Sequence, residues 1–239
     1  MPPKSEDVQE IITINDNRKM IYGFLSRTYA TEATPDYIRE LAGKKDLYLA
    51  SAEDPEVKGT ELAEGFKRIA DYASSIKDRN IEDVRTELAV EYAGLFLGVW
   101  RKPAHPSESS YATLGHAIMQ EPRDEVLKVY RSMGVDKVTK FTEPEDHIAL
   151  ELQFMQYLCE KTNSALKDNN IADARKYLEV QRTFLIDHLG KWVPKLAEDI
   201  LKSARREFYK AVAKITRAYI EMDKEVLSEL LESPALSSH

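Results

Sequence analysis

Cysteine is nearly absent from this chain, which has one, Cys159, among 239 residues. A single thiol forms no intramolecular disulfide and cannot by itself build a thiolate metal centre. Glycine is scarce as well, with 9 residues, and neither a Gly-x-x-x-x-Gly-Lys phosphate loop nor a Gly-x-Gly-x-x-Gly turn occurs. The sequence therefore gives no support to a disulfide-stabilised fold or to the common nucleotide-binding enzymes.

The chain also lacks a long apolar segment and an excess of positive charge. Its most apolar stretch, 95–100, is far too short to span a bilayer, and the first residues carry no apolar core of a signal peptide. We therefore expect a cytoplasmic protein without stable membrane insertion. The net charge is −7, from 34 Lys and Arg against 41 Asp and Glu. Such a chain is a poor partner for nucleic acid and suits a basic peptide better.

Two-residue alternation over a strand length does not occur, whereas apolar residues recur at helical spacing almost everywhere. The pattern predicts an all-α fold: a single-domain helical bundle over 1–232 with a flexible tail over 233–239. We expect loop or short turns over 46–55 and a break over 190–194. The predicted helix caps are Ser5, Thr34, Asn80 and Asn170.

The helical pattern is interrupted between Gly98 and Thr113, a segment that includes Pro103 and Pro106. We predict a hinge or long loop here, and long structured loops are often functional. The preceding helix ends in an apolar stripe of Tyr92, Leu95 and Phe96. This stripe is either a buried helix end or the floor of a groove for a hydrophobic peptide.

A cluster of polar groups follows Thr142, in the order Glu143, Pro144, Glu145, Asp146 and His147. Thr at the cap, Glu at the third position and Pro in the first turn form a capping box. This pattern places Asp146 and His147 in the first turn of a long helix. Acidic groups suit the positive end of a helix, whereas His147 is either a buried structural residue or a functional one.

Catalytic motifs find little support in the sequence. A carboxylate di-metal bundle needs Glu-x-x-His, but the residues three before His147 and His188 are Pro144 and Leu185. A Gly-x-Ser-x-Gly nucleophile turn is missing, and Cys159 lies in an apolar helical run. We therefore expect no catalytic residue, no metal and no cofactor, and we favour a binding protein over an enzyme.

Three segments resemble the TorD/DmsD family of redox-enzyme maturation chaperones, within the TorD/DmsD/NarJ superfamily. Residues 143–155 are similar to its E-P-x-D-H-I-x-x-E-L-x-F-M signature. The helix over 91–96 and the prolines after it resemble the family's tyrosine-x-x-leucine-phenylalanine helix and proline-rich loop. Residues 188–194 resemble its H-L-x-x-W-x-P turn. The resemblance extends from residue 15 to residue 225.

The resemblance implies an all-α fold of about ten helices and no catalysis. It implies binding of a molybdopterin oxidoreductase precursor, through its twin-arginine signal peptide, its mature body or both, with export delayed until cofactor insertion. A homodimer is compatible with it. The residues that it assigns to peptide binding are Tyr92, Leu95, Phe96, Pro103, Pro106, Ser110, Tyr111, Asp146 and His147, and the acidic helix start adds Glu143.

We expect the peptide between the helix over 92–96, the loop over 103–111 and the turn at 146–147. Carboxylates would meet the arginines, and Leu95 and Phe96 would meet the apolar stretch.

Two alternative functions stay open. One is a NarJ-like assembly factor for a reductase subunit that is not exported. The other is a small helical metal-dependent hydrolase that uses Asp146 and His147.

Overall fold

The structure is a computed structural model that describes residues 5–99, 104–112, 119–136 and 141–236. Over these ranges the regular structure is helical, and β-type pairing is limited to one isolated antiparallel bridge between Ser107 and His147. The predicted all-α fold is therefore confirmed.

The helices are numbered in chain order. They are α1 Ser5–Ala30, α2 Pro35–Gly43, α3 Lys45–Glu53, α4 Glu61–Ile76, α5 Ile81–Phe96, α6 Ser109–Ala112, α7 Glu121–Ser132, α8 Ile148–Lys167, α9 Ile171–Phe184, α10 Gly190–Ser203 and α11 Glu207–Glu232. A π-helix, Leu185–Leu189, lies between α9 and α10, and a 3-10 turn, Pro234–Leu236, follows α11.

Backbone proximity divides the chain into two compact units, each built from separated segments. Unit 1 comprises Met1–Ala30, Ser107–Lys191 and Ile220–His239, and unit 2 comprises Thr31–Pro106 and Trp192–Tyr219. In unit 1, α8 packs along α1 and α9. In unit 2, α4 packs against α3, and α2 contacts both α4 and α5. The domain boundaries expected from the sequence, with a hinge at 98–113, stay a prediction.

A buried ion pair connects the first helix of unit 1 to the last. Arg18 donates from Nε to one oxygen of Asp223 at 2.6 Å and from Nη2 to the other at 2.9 Å. The Tyr22 hydroxyl donates to the same carboxylate at 2.5 Å. Since both charged side chains are almost fully buried, removal of either partner would leave the other uncompensated.

Unit 2 is packed around the apolar face of α4. Its apolar residues Leu62, Phe66, Ile69 and Ala73 are all buried. Gly65 lies on the same helix, where a Cβ atom would stand 2.6 Å from Cγ1 of Ile215 on α11. The lack of a side chain at this position therefore allows α4 and α11 to approach closely.

Three predicted helix caps are confirmed by their hydrogen bonds. Thr34 accepts from the amide of Tyr37, and Asn80 accepts from the amides of Glu82 and Asp83. Asn170 accepts from the amide of Asp173. These interactions satisfy amides that have no partner within the first helical turn.

Two segments predicted as irregular are helical. Residues 46–55 lie largely in α3, which has no side-chain cap but packs against α4. The predicted break over 190–194 lies within α10, with Pro194 inside the helix. A Cβ on Gly190 would lie 2.8 Å from the Leu185 carbonyl oxygen, so glycine fits the π-helix here instead of ending a helix.

The predicted flexible tail is folded over the part that the structure describes. Ala235 and Leu236 are buried, and the 3-10 turn that carries them contacts α9. Residues 237–239 lie outside the described ranges. Among the helices of those ranges, none is both long and apolar enough to cross a membrane.

Candidate functional site

The residues assigned to peptide binding are distributed over both units. Unit 2 contains Tyr92, Leu95, Phe96 and Pro106, and unit 1 contains Ser110, Tyr111, Glu143, Asp146 and His147. Pro103 lies outside the described residues.

In unit 1 the end of the proline-rich segment pairs with the turn that precedes α8. Ser107 and His147 form the isolated antiparallel bridge, and the amide of Glu108 donates to the Asp146 carbonyl at 2.9 Å. Residues 107–112 are consequently not an open loop: Ser109 and Ser110 are buried, and Ser109 begins the short helix α6. We call residues 107–112 and 144–148 together the loop–turn junction.

Asp146 is the central hydrogen-bond acceptor of the loop–turn junction. Its Oδ2 accepts from the amide of Ser109 at 2.8 Å and from the Ser109 hydroxyl at 2.5 Å. The side chain is fully buried, and its Oδ1 has no hydrogen-bond partner among the residues that the structure describes. Because the carboxylate is fully buried, a peptide guanidinium cannot reach it in this conformation.

His147 is the N-cap of α8, so the predicted position of the helix start is wrong. The helix begins at Ile148, and Nδ1 of His147 accepts from the amide of Ala149 at 3.1 Å. Thr142 does not cap it, because pairing with Ser107 holds His147 in an extended conformation and the helix can begin only after it. An accepting imidazole nitrogen carries no proton, which also removes the expected conflict with the helix dipole.

Glu145 connects the loop–turn junction to α7. Its carboxylate pairs with Nε of Arg123 at 2.5 Å, and its carbonyl accepts from the Tyr130 hydroxyl at 3.2 Å. Burial raises the pKa of Tyr130 well above its ordinary value, and the charges of Glu151, Asp146 and Glu108 raise it further.

A buried pair that the sequence analysis missed links the junction to the π-helix. Nδ1 of His188 lies 2.9 Å from Oε2 of Glu108, and both side chains are about 6–7% exposed. The two residues are 80 positions apart, so no local spacing relates them. Two features of the sequence hinted at a role for these residues. Glu108 is an ionisable residue within the proline-rich segment, and His188 begins the segment that resembles the H-L-x-x-W-x-P turn.

In unit 2 the three predicted groove residues of α5 belong to the core. Tyr92, Leu95 and Phe96 are at most 6% exposed, and both rings pack against Tyr209, with centroids 6.5 Å and 5.7 Å from it. The exposed apolar residues near this helix end are others. They are Val90, Leu97 and Val99.

Glu91, also on α5, is a further residue that the sequence analysis missed. Its Oε1 accepts from the amides of Arg205 and Arg206 at 2.6 Å and 2.7 Å. These amides directly precede α11, so a carboxylate from one helix satisfies the open start of another. Glu91 is only 2% exposed, and these two hydrogen bonds explain why an ionisable residue lies among core positions.

Comparison with known proteins connects these sites to a family. A sequence model of the family described as "Nitrate reductase delta subunit" matches residues 58–198, more than half of the chain. The chain belongs to this family. It is a member of the TorD/DmsD/NarJ superfamily of redox-enzyme maturation chaperones, as the sequence motifs predicted. The matched range includes α5, the loop–turn junction and His188.

Curated relatives extend the superfamily relationship over almost the full chain. A protein named "Chaperone protein TorD" from Vibrio cholerae (strain M66-2) is 28% identical over 226 residues, which cover 94% of this chain and 98% of the relative. Proteins of the same name from Photobacterium profundum and Aliivibrio fischeri are 29% and 25% identical, each over 92% of this chain and 98–99% of their own length. Members of the superfamily with the chaperone name thus align with both units.

Over the described ranges, no group of three or more His, Cys, Asp and Glu side chains is arranged to hold a metal ion. Asp146 and His147 instead form hydrogen bonds with backbone amides and with Ser109.

Proposed function

We propose that this chain is a cytoplasmic chaperone for a molybdopterin oxidoreductase precursor. It binds the twin-arginine signal peptide of the precursor, its mature body or both, assists cofactor insertion and delays export. It has no catalytic residue and needs no cofactor of its own. The observation that carries this proposal is the nearly complete alignment, over both units, with relatives named TorD chaperones.

The charge and apolar surface of the chain are suited to such a client. A twin-arginine peptide has a basic end followed by an apolar stretch, and the chain has a net charge of −7. On unit 2, Val90, Leu97 and Val99 are 61%, 57% and 69% exposed and offer apolar contact. Tyr92, Leu95 and Phe96 support this surface from beneath by fixing the end of α5.

The loop–turn junction is the proposed peptide-binding element of unit 1. Glu143 is exposed and Tyr111 is half-buried, so both can contact a client directly. Asp146, His147 and Ser110 are buried, and Asp146 and His147 hold residues 107–112 against the start of α8 through Ser109 and Ser107. We infer that they position the element, whereas the exposed residues around them touch the peptide.

A second candidate function follows from the description of the matching family. A nitrate-reductase-type assembly factor would tend the mature body of a reductase subunit that is not exported. The two functions differ in whether the client needs a twin-arginine leader. A hydrolase that uses Asp146 and His147 is disfavoured, because both side chains are buried and hydrogen-bonded within the fold.

Affinity capture of the tagged full chain from its native cell, read by mass spectrometry, tests the proposal. We expect a molybdopterin oxidoreductase precursor to be enriched with its leader intact. The same capture is repeated in cells whose precursor carries Lys-Lys in place of the twin arginines, and recovery should fall. Undiminished recovery would favour the assembly factor, and failure to enrich any molybdopterin oxidoreductase would refute both functions.

A further inference from the structure

The segment 107–112 of the loop–turn junction is held in place largely by polar contacts. It begins with four consecutive residues that are all polar and at most 4% exposed. They are Ser107, Glu108, Ser109 and Ser110. Hydroxyl and carboxylate groups lose free energy of hydration on burial and regain it only through hydrogen bonds. The position of this segment therefore depends on the hydrogen bonds that it forms.

Glu108 attaches this segment to a helix outside the junction. The bridge from Ser107 and the hydrogen bonds that Ser109 donates go to the neighbouring turn at 146–147. Glu108 instead places its Oε2 2.9 Å from Nδ1 of His188, on the π-helix. An ionised carboxylate can only accept a hydrogen bond, so Nδ1 of His188 is the donor. The pair thus fixes the segment against a second element of unit 1.

The imidazole of His188 is oriented by the helical run that carries it. Its ring centroid lies 4.8 Å from that of Phe184, with 35° between the ring planes, and the residue is only 6% exposed. The π-helix over Leu185–Leu189 has a wider turn than an α-helix, and single turns of this kind are frequent at functional sites. His188 therefore offers its donor to Glu108 from a packed position.

Stability alone does not account for this buried pair. Apolar residues of similar volume often replace a buried pair without loss of stability, but they do not fix a distance and a direction as a hydrogen bond does. We propose that the pair of His188 and Glu108 positions residues 107–112 for client binding, so that half-buried Tyr111 is presented to the peptide in one place. Both are positioning residues that do not touch the client. The inference rests on the proposed function, because the precursor is the ligand.

Backbone hydrogen exchange of the full chain, followed by NMR, tests the pair without a client. Glu108→Ala removes the acceptor of His188 and should accelerate exchange at the Ser109 amide, which donates to Asp146. The expected factor is about tenfold, as for loss of one hydrogen bond to a charged group. Glu108→Gln keeps an oxygen that can accept from Nδ1 and should largely restore slow exchange. Unchanged exchange at Ser109 in Glu108→Ala would overturn the proposal.

Two further variants separate positioning from stability. Gln181→Ala is the matched control on α9: Gln181 is fully buried, donates to Thr162 at 3.0 Å and accepts from Cys159 at 3.4 Å, both in the second half of α8. It should lower the melting temperature but leave exchange at the Ser109 amide as in the parent. Glu108→Leu with His188→Leu replaces the pair by apolar residues; it should keep the melting temperature and accelerate that exchange. The opposite pattern in either variant would make the pair merely structural.

Calorimetric titration with the twin-arginine signal peptide of a molybdopterin oxidoreductase from the same genome connects the pair to binding. The parent, Glu108→Gln and Gln181→Ala should bind alike, and Glu108→Ala should bind about fivefold more weakly. If Glu108→Ala binds like the parent although its Ser109 amide exchanges faster, the positioning role is wrong and the chaperone function stands. If the parent binds neither this peptide nor the complete precursor, the chaperone function is wrong, and the role of the pair in client binding is refuted with it.

Discussion

Asp146 is a residue whose importance was visible in the sequence but whose role was not. The sequence predicted a carboxylate near a helix start that would meet a peptide guanidinium. In the structure it is buried and accepts two hydrogen bonds from Ser109, 37 positions away in the chain. Such a contact between distant segments leaves no periodic signal, which is why motif reasoning found the residue and missed its partner.

The first prediction is that Asp146→Ala destabilises the protein by about 1–3 kcal/mol, because it leaves the buried donors of Ser109 without an acceptor. Asp146→Asn should cost less, since an amide oxygen can still accept. Urea unfolding at pH 7 measures both. Asp36→Ala removes a carboxylate that is 94% exposed and serves as the control. Equal losses for Asp146→Ala and Asp36→Ala would contradict the role assigned to Asp146.

Cys159 gives a second prediction at the residue scale. Burial raises the pKa of its thiol from 9.0 to about 11, and its Sγ donates to Gln181 at 3.4 Å. Because the thiolate is the nucleophile, a pKa raised by two units lowers the reactive fraction at pH 8 by about a hundredfold. Alkylation by iodoacetamide should be slow in the native protein, quicken as pH approaches 11, and be prompt in urea. Native labelling at pH 8 as fast as in urea would contradict this burial.

At the scale of helices, the sequence predicted correctly those helix starts that are capped by a side chain of the same segment. Thr34, Asn80 and Asn170 cap their helices with their own side chains, so the cap residue is evident in the sequence. The start of α8 depends on pairing with Ser107, and the start of α11 is supported by Glu91 of α5. Sequence reasoning misplaced the first and missed the support of the second, because both depend on tertiary contacts.

Glycine positions give a prediction about helix packing. Gly65→Ala should destabilise the protein by about 1–3 kcal/mol, since the new methyl would overlap Ile215 where α4 meets α11. Gly43→Ala is the matched control: over the described ranges, no atom beyond its chain neighbours and the adjacent backbone of its own helix lies within 4 Å of its Cβ position. It should be neutral or stabilise by about 0.5–1 kcal/mol, because alanine favours helix. Thermal melts compare the two, and a Gly65→Ala protein as stable as Gly43→Ala would refute the close approach.

At the scale of the whole molecule, helical periodicity predicted the fold class but not the grouping of helices. Unit 1 is assembled from three separated segments, held in part by the buried pair of Arg18 and Asp223. Partners 205 residues apart are not related by any local pattern. The family signature, by contrast, was readable from the sequence, because its residues lie in short contiguous motifs.

The measurement that tests the central claim most directly is a calorimetric titration of the purified full chain. The ligand is the twin-arginine signal peptide of a molybdopterin oxidoreductase from the same genome. We predict saturable binding that weakens with added salt, since a basic peptide meets a chain of charge −7. Replacement of both arginines by lysine should weaken it further. If neither this peptide nor the complete precursor binds at low salt, the chain is not a chaperone for that class of client.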